Sequence, residues 1–195
     1  LFGVTFMVIS AQHRKLMNLV TKEHKKEVEE FVKRCSKVKT QEEIETKELL
    51  SVKPGRTQGE YCWTLTPFTP QAVFDQDPSV VRITYLDADI FFFDDPMILL
   101  REFDQSGKHV LITDHAYSPE YNQSLQSGRF CVQFMTFRRT EQAITILKWW
   151  KNKCLEWCFA RVEDGKFGDQ KYLDCWPELF GDTVHIVQNF EKCFK

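Results

Sequence analysis

Short apolar runs rich in β-branched residues recur along the chain, separated by stretches whose apolar positions repeat at helical spacing. Residues 3–10 predict a buried strand. A charged stretch over 12–35 predicts a helix with Leu16, Leu19, Val20, Val28, Phe31 and Val32 as its apolar stripe and a Lys/Glu face turned to solvent. Residues 36–53 are polar and predict a short strand or loop, with a turn at Pro54-Gly55. The segment 59–70, with Tyr61, Cys62, Trp63 and Phe68, predicts an aromatic helix start or a packed loop, and 71–76 a helix that Pro78 stops. Further strands are predicted at 80–86, 90–93, 108–113, 130–137 and 183–187. Further helices are predicted at 97–103, from a Thr140 cap to residue 159, and at 169–176, where Gly165 and Gly168 bracket the approach; 116–128 reads as a polar loop. Strands alternating with helices argue an α/β sandwich with a mixed, mainly parallel sheet, in which ligands sit at the carboxyl ends of strands.

One such end carries two acids. The run Val80 to Leu86 leads into Asp87 and Asp89, and a second apolar run follows. Ionised carboxylates are rarely tolerated among buried apolar residues unless paired or bound to a metal. At spacing i, i+2 on an extended chain they point the same way and could face one hard divalent cation. A tight acidic turn between two strands would give the same pattern.

Composition narrows the class. The chain has 195 residues, 43% hydrophobic and 14% aromatic with 17 Phe, enough for a sizeable core. A formal net charge of −2 offers no basic field for nucleic acid or an anionic membrane. No apolar run approaches the roughly 20 residues of a membrane-spanning helix, and no signal-peptide pattern stands at the start. The seven Cys form no disulfide framework, and Cys62 and Cys131 in particular sit in apolar or strand-like context. They are expected as mostly buried free thiols in a reducing compartment. Cys154 and Cys158, i and i+4 on the predicted long helix, lack further ligands at zinc spacing. The expected location is cytoplasmic, possible contact with the inner face of the membrane included.

The string Tyr85-Leu86-Asp87-Ala88-Asp89, followed by Asp94-Asp95-Pro96, resembles the DxD region of GT-A glycosyltransferases, in particular retaining enzymes of the galactosyltransferase–glycogenin kind. Glu60-Tyr61-Cys62-Trp63 through Asp164-Gly165-Lys166-Phe167-Gly168-Asp169-Gln170-Lys171-Tyr172-Leu173 resembles a group of bacterial glycosyltransferases. The resemblance spans residues 43–195 and is weak over the first 40. It implies a single GT-A (Rossmann-like) domain over 1–195, incomplete at both ends, with the family's first strand and helix expected ahead of Leu1. It implies Mn²⁺ (or Mg²⁺) held by Asp87 and Asp89, with Asp87 also facing the nucleotide sugar. Asp169 and Gln170 would lie beside the donor sugar as catalytic residues, although Asp169 reads equally as a helix cap. Arg56 would lie near the nucleotide, or be a solvated charge on the Pro-Gly loop.

Two departures from the family pattern stand out. Asn189, six residues before Lys195, occupies the place of a metal-binding His, and its amide oxygen is a weaker ligand; Lys195 would meet the diphosphate. His185, four residues earlier, falls on a predicted strand. Cys131-Val132-Gln133 stands where many relatives have Asn and Gly facing the sugar. The implied activity is metal-dependent transfer of a hexose from a UDP- or GDP-sugar to a hydroxyl of a glycan or lipid-linked acceptor, with retention, and without nucleic-acid partners. The alternatives are a catalytically degenerate glycan- or nucleotide-sugar-binding domain, and a haloacid-dehalogenase-type phosphatase. The phosphatase pattern wants Thr or Val where this chain has Phe91.

Overall fold

The computed structural model describes residues 5–8, 41–87, 90, 92 and 95–188, with the backbone alone for 5–8. The helix expected over 12–35 lies outside these residues, as do Asp89, Asn189 and Lys195 among the expected site residues.

The first described strand, β1 (Thr5–Val8), falls inside the predicted 3–10. Sequence pattern predicts a polar strand or loop over 36–53; within that range the described residues, from 41 on, are helical: α1 (Gln41–Ile44) and α2 (Lys47–Val52), then a 3-10 turn over Lys53–Gly55. Thr46 caps α2, its side chain accepting from the Leu49 N–H. Only Ile44 and Leu49 are buried there, against Tyr61, Leu65 and Phe68, too few apolar positions to show a period. α3 (Gln58–Leu65) starts with a capping box between Thr57 and Glu60, and α4 (Phe68–Gln76) ends two residues before Pro78. β2 (Arg82–Leu86) follows. Ile90 and Phe92 are not in a strand, so the predicted strand 90–93 does not form at its described positions.

α5 (Met97–Ser106) ends on Gly107 in the left-handed region, the usual helix stop. β3 (Val110–Asp114) leads into a segment that is not all loop, holding a 3-10 turn at Pro119–Tyr121 and α6 (Ser124–Ser127). β4 (Phe130–Arg138) and the Thr140-capped α7 (Glu141–Glu156) come next. α7 stops three residues short of 159 because Trp157 turns extended (φ −155°, ψ 125°) and its indole N–H donates to Glu163. A 3-10 helix over Gln170–Cys175, α8 (Trp176–Phe180) and β5 (Val184–Ile186) complete the described chain.

The strands form one sheet of order β1-β2-β4-β3-β5. β1 pairs parallel with β2 and β3 with β5, while β4 runs antiparallel to both β2 and β3. Among the described residues four strands therefore run one way and β4 alone is reversed, the mixed, mainly parallel sheet that the alternation predicts. One face packs Ile83, Tyr85, Val110, Ile112, Met135 and Phe137 against α4, α7 and the 170–176 segment. The other packs Leu86, Leu111 and Phe134 against Leu99, Leu100 and Phe103 of α5. The result is three layers, α/β/α. Burial of side chains such as Trp150, Trp176, Phe103 and Phe134 dominates its stability, each costing on the order of 3–5 kcal/mol if cut to Ala. Among the described residues no helix is long and apolar enough to cross a membrane.

Candidate active site at the carboxyl edge of the sheet

The period of two in β2 sets the site. Ile83 and Tyr85 face the α7 layer, and Asp87, one step beyond the strand, continues that face. The Tyr85 hydroxyl donates to Asp87 Oδ1 at 2.8 Å, and the Asp87 N–H donates to the Gln133 carbonyl at 3.0 Å. That carbonyl continues the antiparallel β2–β4 ladder one pair beyond Leu86 and Phe134, and β4 bulges only on its other side, against β3. β3 pairs Leu111 with Thr136 but Thr113 with Cys131, so the register shifts between them. The acid is thus fixed at the carboxyl edge of the sheet by its own strand and by its neighbour.

Asp169 reaches the same edge from a distant segment. Gly168 precedes it at φ +52°, and a Cβ there would come within 3.3 Å of the Trp63 ring. The Asp169 carbonyl accepts the indole N–H of Trp150 at 2.9 Å. Trp150 itself crosses Trp176 edge-to-face with centroids 5.5 Å apart. These contacts seat a carboxyl group that is 3% exposed and whose Oδ2 has no hydrogen-bond partner. Burial pushes its pKa up to about 7, the charge of Asp87 adds to the rise, and the Thr66 hydroxyl and nearby backbone N–H groups oppose it.

Two further groups report that the acids share one neighbourhood. Burial pushes the Cys131 thiol up to about 12, with both Asp87 and Asp169 contributing. Burial also raises the Tyr85 phenol, again with both carboxylates contributing. Asp169 occupies the residue before the 3-10 helix, yet its side chain makes no capping hydrogen bond, so the helix-cap reading of its carboxylate is corrected. Gln170 follows, its Nε2 donating to the Ser127 carbonyl at 2.8 Å.

The remaining sequence candidates divide. Arg56 is no solvated charge: its guanidinium donates to the Thr64 hydroxyl and, at 2.8 Å, to the Leu155 carbonyl, and lies 5.5 Å from the Phe159 ring. His185 on β5 pairs with Glu102 at 2.7 Å. Cys154 and Cys158 are both buried and free, but Cys158 lies past the end of α7, so the i, i+4 helical spacing does not hold. Cys62 is exposed on α3 rather than buried, and Cys131 is buried as expected. Sequence reasoning missed Tyr85 and Thr66. Tyr85 had a readable signal, its place two residues before Asp87 on one strand face; Thr66 reaches Asp169 only through the fold.

The donor chemistry suits a hard divalent cation, with carboxylate oxygens at a sheet edge and one buried oxygen unpartnered. No three His, Cys, Asp or Glu side chains converge among the described residues, Asp89 and Asn189 lying outside them.

The uncharacterized proteins YfnF and YfnD of Bacillus subtilis (strain 168) are 37% and 33% identical over 151 and 150 residues. The alignments take in 74% and 75% of this chain but 49% and 47% of those proteins, so the chain spans about half the length of the curated relatives it matches. Among solved structures, a glycosyltransferase involved in glycosylation of the major capsid of PBCV-1 superposes at TM-score 0.53 and 10% identity, covering 96% of this chain and 81% of that one. Mouse xyloside xylosyltransferase 1, apo form, does so at 0.52 and 14%, covering 96% and 85%. A family model described as the leucyl-tRNA synthetase editing domain matches residues 1–73, a segment that ends before β2 and contains neither Asp87 nor Asp169. The fold of this chain is an α/β fold of GT-A type, shared with these two glycosyltransferase structures.

Proposed function

We propose that this chain is the donor-binding, catalytic part of a metal-dependent glycosyltransferase. It moves a hexose from a UDP- or GDP-sugar to a hydroxyl of a glycan or lipid-linked acceptor, with retention. The observation that carries this reading is the meeting of Asp87 and Asp169 at the carboxyl edge of the sheet, with the buried Oδ2 of Asp169 unpartnered. A buried acceptor without a donor is costly unless a ligand completes it. Sugar hydroxyls are donors of the right kind, and bonds to a charged acceptor are the stronger ones.

Each residue then has a task. Asp87 and Asp89 would hold Mn²⁺ (or Mg²⁺), with Asn189 as a weaker third ligand; when bound, the cation offsets the charge that develops on the departing diphosphate. Tyr85 keeps the Asp87 carboxylate in one orientation through its 2.8 Å hydrogen bond. Asp169 accepts from sugar hydroxyls, and Gln170 places a neutral carboxamide beside the anomeric carbon. Lys195 would add a positive charge for the diphosphate. Arg56 serves the nucleotide only indirectly, by tying α3 to the end of α7. In the transfer, the bond from the anomeric carbon to the diphosphate oxygen breaks, the acceptor hydroxyl oxygen forms the new one, and the hydroxyl proton passes to the released diphosphate.

The test is release of nucleoside diphosphate from a panel of UDP- and GDP-hexoses with Mn²⁺, with and without EDTA. Turnover abolished by EDTA, and lowered about a hundredfold or more in Asp89→Asn, is expected, since a metal contributes several kcal/mol of transition-state stabilisation. Turnover indifferent to both would contradict the proposal.

A further inference from the structure

Helix α3 buries Tyr61 and Leu65 against Ile44, Leu49 and Phe68. Trp63, on the same helix, has no part in that packing. It is only partly buried and lies at the margin of the main core. Its ring rests on the approach to Asp169. A Cβ on Gly168 would meet Trp63 Cε3, Cζ3 and Cδ2 at 3.3, 3.6 and 3.8 Å. The six-membered half of the indole therefore lies against the glycine itself, one residue from the buried acid, and a side chain at 168 would push it away.

Phe167, just before that glycine, is partly buried as well. Its ring centroid is 6.1 Å from that of Trp63, with the planes 43° apart, so the two rings make an open angle and not a closed stack. Both are held in place. The Gly168 N–H donates to the Phe159 carbonyl at 3.0 Å, and Glu163 and Lys166 bridge, which closes a hairpin over 159–168. The Ala160 N–H donates to Glu60 Oε1 at 2.8 Å, which ties the hairpin to α3. Rings fixed in advance cost little further ordering when a ligand arrives. Two such rings beside a buried acid suit a ligand with a polar rim and an apolar face. A pyranose is one: hydroxyls project from its rim, and its ring C–H groups make the face apolar. Trp is among the side chains that most often carry the energy of such contacts.

We propose that Trp63, with Phe167 beside it, is the platform on which the acceptor lies, and that the acceptor is a glycan presenting a pyranose ring to this edge of the sheet. This rests on the proposed transfer from a nucleotide sugar. In that reading the metal and diphosphate are at Asp87 and Asp89 and the donor hexose is at Asp169. A ring lying on Gly168 borders the hexose and not the diphosphate, so it meets the molecule that approaches the anomeric carbon.

The first test is by NMR on the intact chain with Mg²⁺ and UDP or GDP, to which the methyl α- and β-glucopyranosides and galactopyranosides are added. Nuclear Overhauser effects are read from the Trp63 ring protons, assigned with Trp63→Phe. Effects to the C–H protons of a hexoside are expected. Effects to the nucleobase instead, none to any hexoside, or effects only to hexosides that an active wild type does not glycosylate, would overturn the inference while the proposed function stood. The second test measures transfer to that hexoside and hydrolysis of the donor by water together, with the sugar nucleotide that the wild type turns over. Trp63→Leu should lower the ratio of transfer to hydrolysis about tenfold or more, and Trp63→Phe, which keeps a ring, should hold it within about threefold of wild type. If Trp63 served only to seat Gly168 and Asp169, both reactions would fall together, the ratio would stay, and the inference would fail. A wild type that turns over no sugar nucleotide with Mn²⁺ would overturn the proposed function. Effects to a hexoside would then still mark a carbohydrate platform, and their absence would sink both.

Discussion

Asp169 is an acid placed where little helps it to ionise. It is buried, its Oδ2 is unpartnered, and Asp87 is near enough to oppose its charge. Its carboxyl goes from an ordinary 3.8 to about 7 on folding. Between those values the folded state holds a proton that the unfolded chain has lost, so stability falls as pH rises through the window. At roughly 1.4 kcal/mol per unit, the loss for metal-free protein is at most about 4 kcal/mol. Asp169→Asn has the shape of the protonated acid and no charge to bury. Urea unfolding of metal-free protein should therefore show the variant gaining on the wild type from pH 5 to pH 8. Parallel curves for the two would mean that Asp169 ionises freely. A group with this profile suits a site that binds its partner at neutral pH, because ligand hydroxyls and a nearby cation supply the stabilisation that the empty fold withholds.

At the scale of elements, the approach to Asp169 shows what sequence pattern can and cannot reveal. Gly165 and Gly168 are legible as loop glycines, and both take positive φ, +72° and +52°. Their surroundings are not legible. A Cβ at Gly165 would meet nothing within 4 Å, whereas at Gly168 it would press on Trp63, a residue of another helix. Gly165→Ala should cost about 1 kcal/mol from backbone strain alone. Gly168→Ala should cost more, on the order of 2–3 kcal/mol, because Trp63 must also give way. Equal losses in denaturant midpoint for the two would show that the Trp63 contact carries no weight. The same distinction explains the other differences between pattern and fold. α7 was legible because its apolar positions recur over four turns, but its end was not, since no Gly or Pro marks the extended Trp157. α1 and α2 were hidden because two buried side chains, Ile44 and Leu49, do all the packing.

For the whole molecule, the layer order and the direction of the sheet follow from alternation of strands and helices, and the carboxyl edge as the place for ligands follows from that. Asp87 was legible there because an acid at the end of an apolar strand is a local event. Its meeting with Asp169 was not. It depends on β4 entering the sheet reversed between β2 and β3, and on Trp63, Trp150 and Trp176 seating the 168–176 segment against the same edge. No spacing in the chain encodes that. Nor does it encode the His115–Tyr117 stack, a contact of side chains and not of patterns. The central claim is that this edge holds the diphosphate of a nucleotide sugar at one acid and its sugar at the other. The most direct measurement is a crystal structure of the protein with Mn²⁺ and the intact donor selected from the UDP- and GDP-hexose panel. The metal and diphosphate are expected at Asp87 and Asp89, with the hexose hydroxyls on Asp169 Oδ2 and the anomeric carbon beside Gln170. A donor bound elsewhere, or bound at this edge with Asp169 Oδ2 still unpartnered, would contradict it.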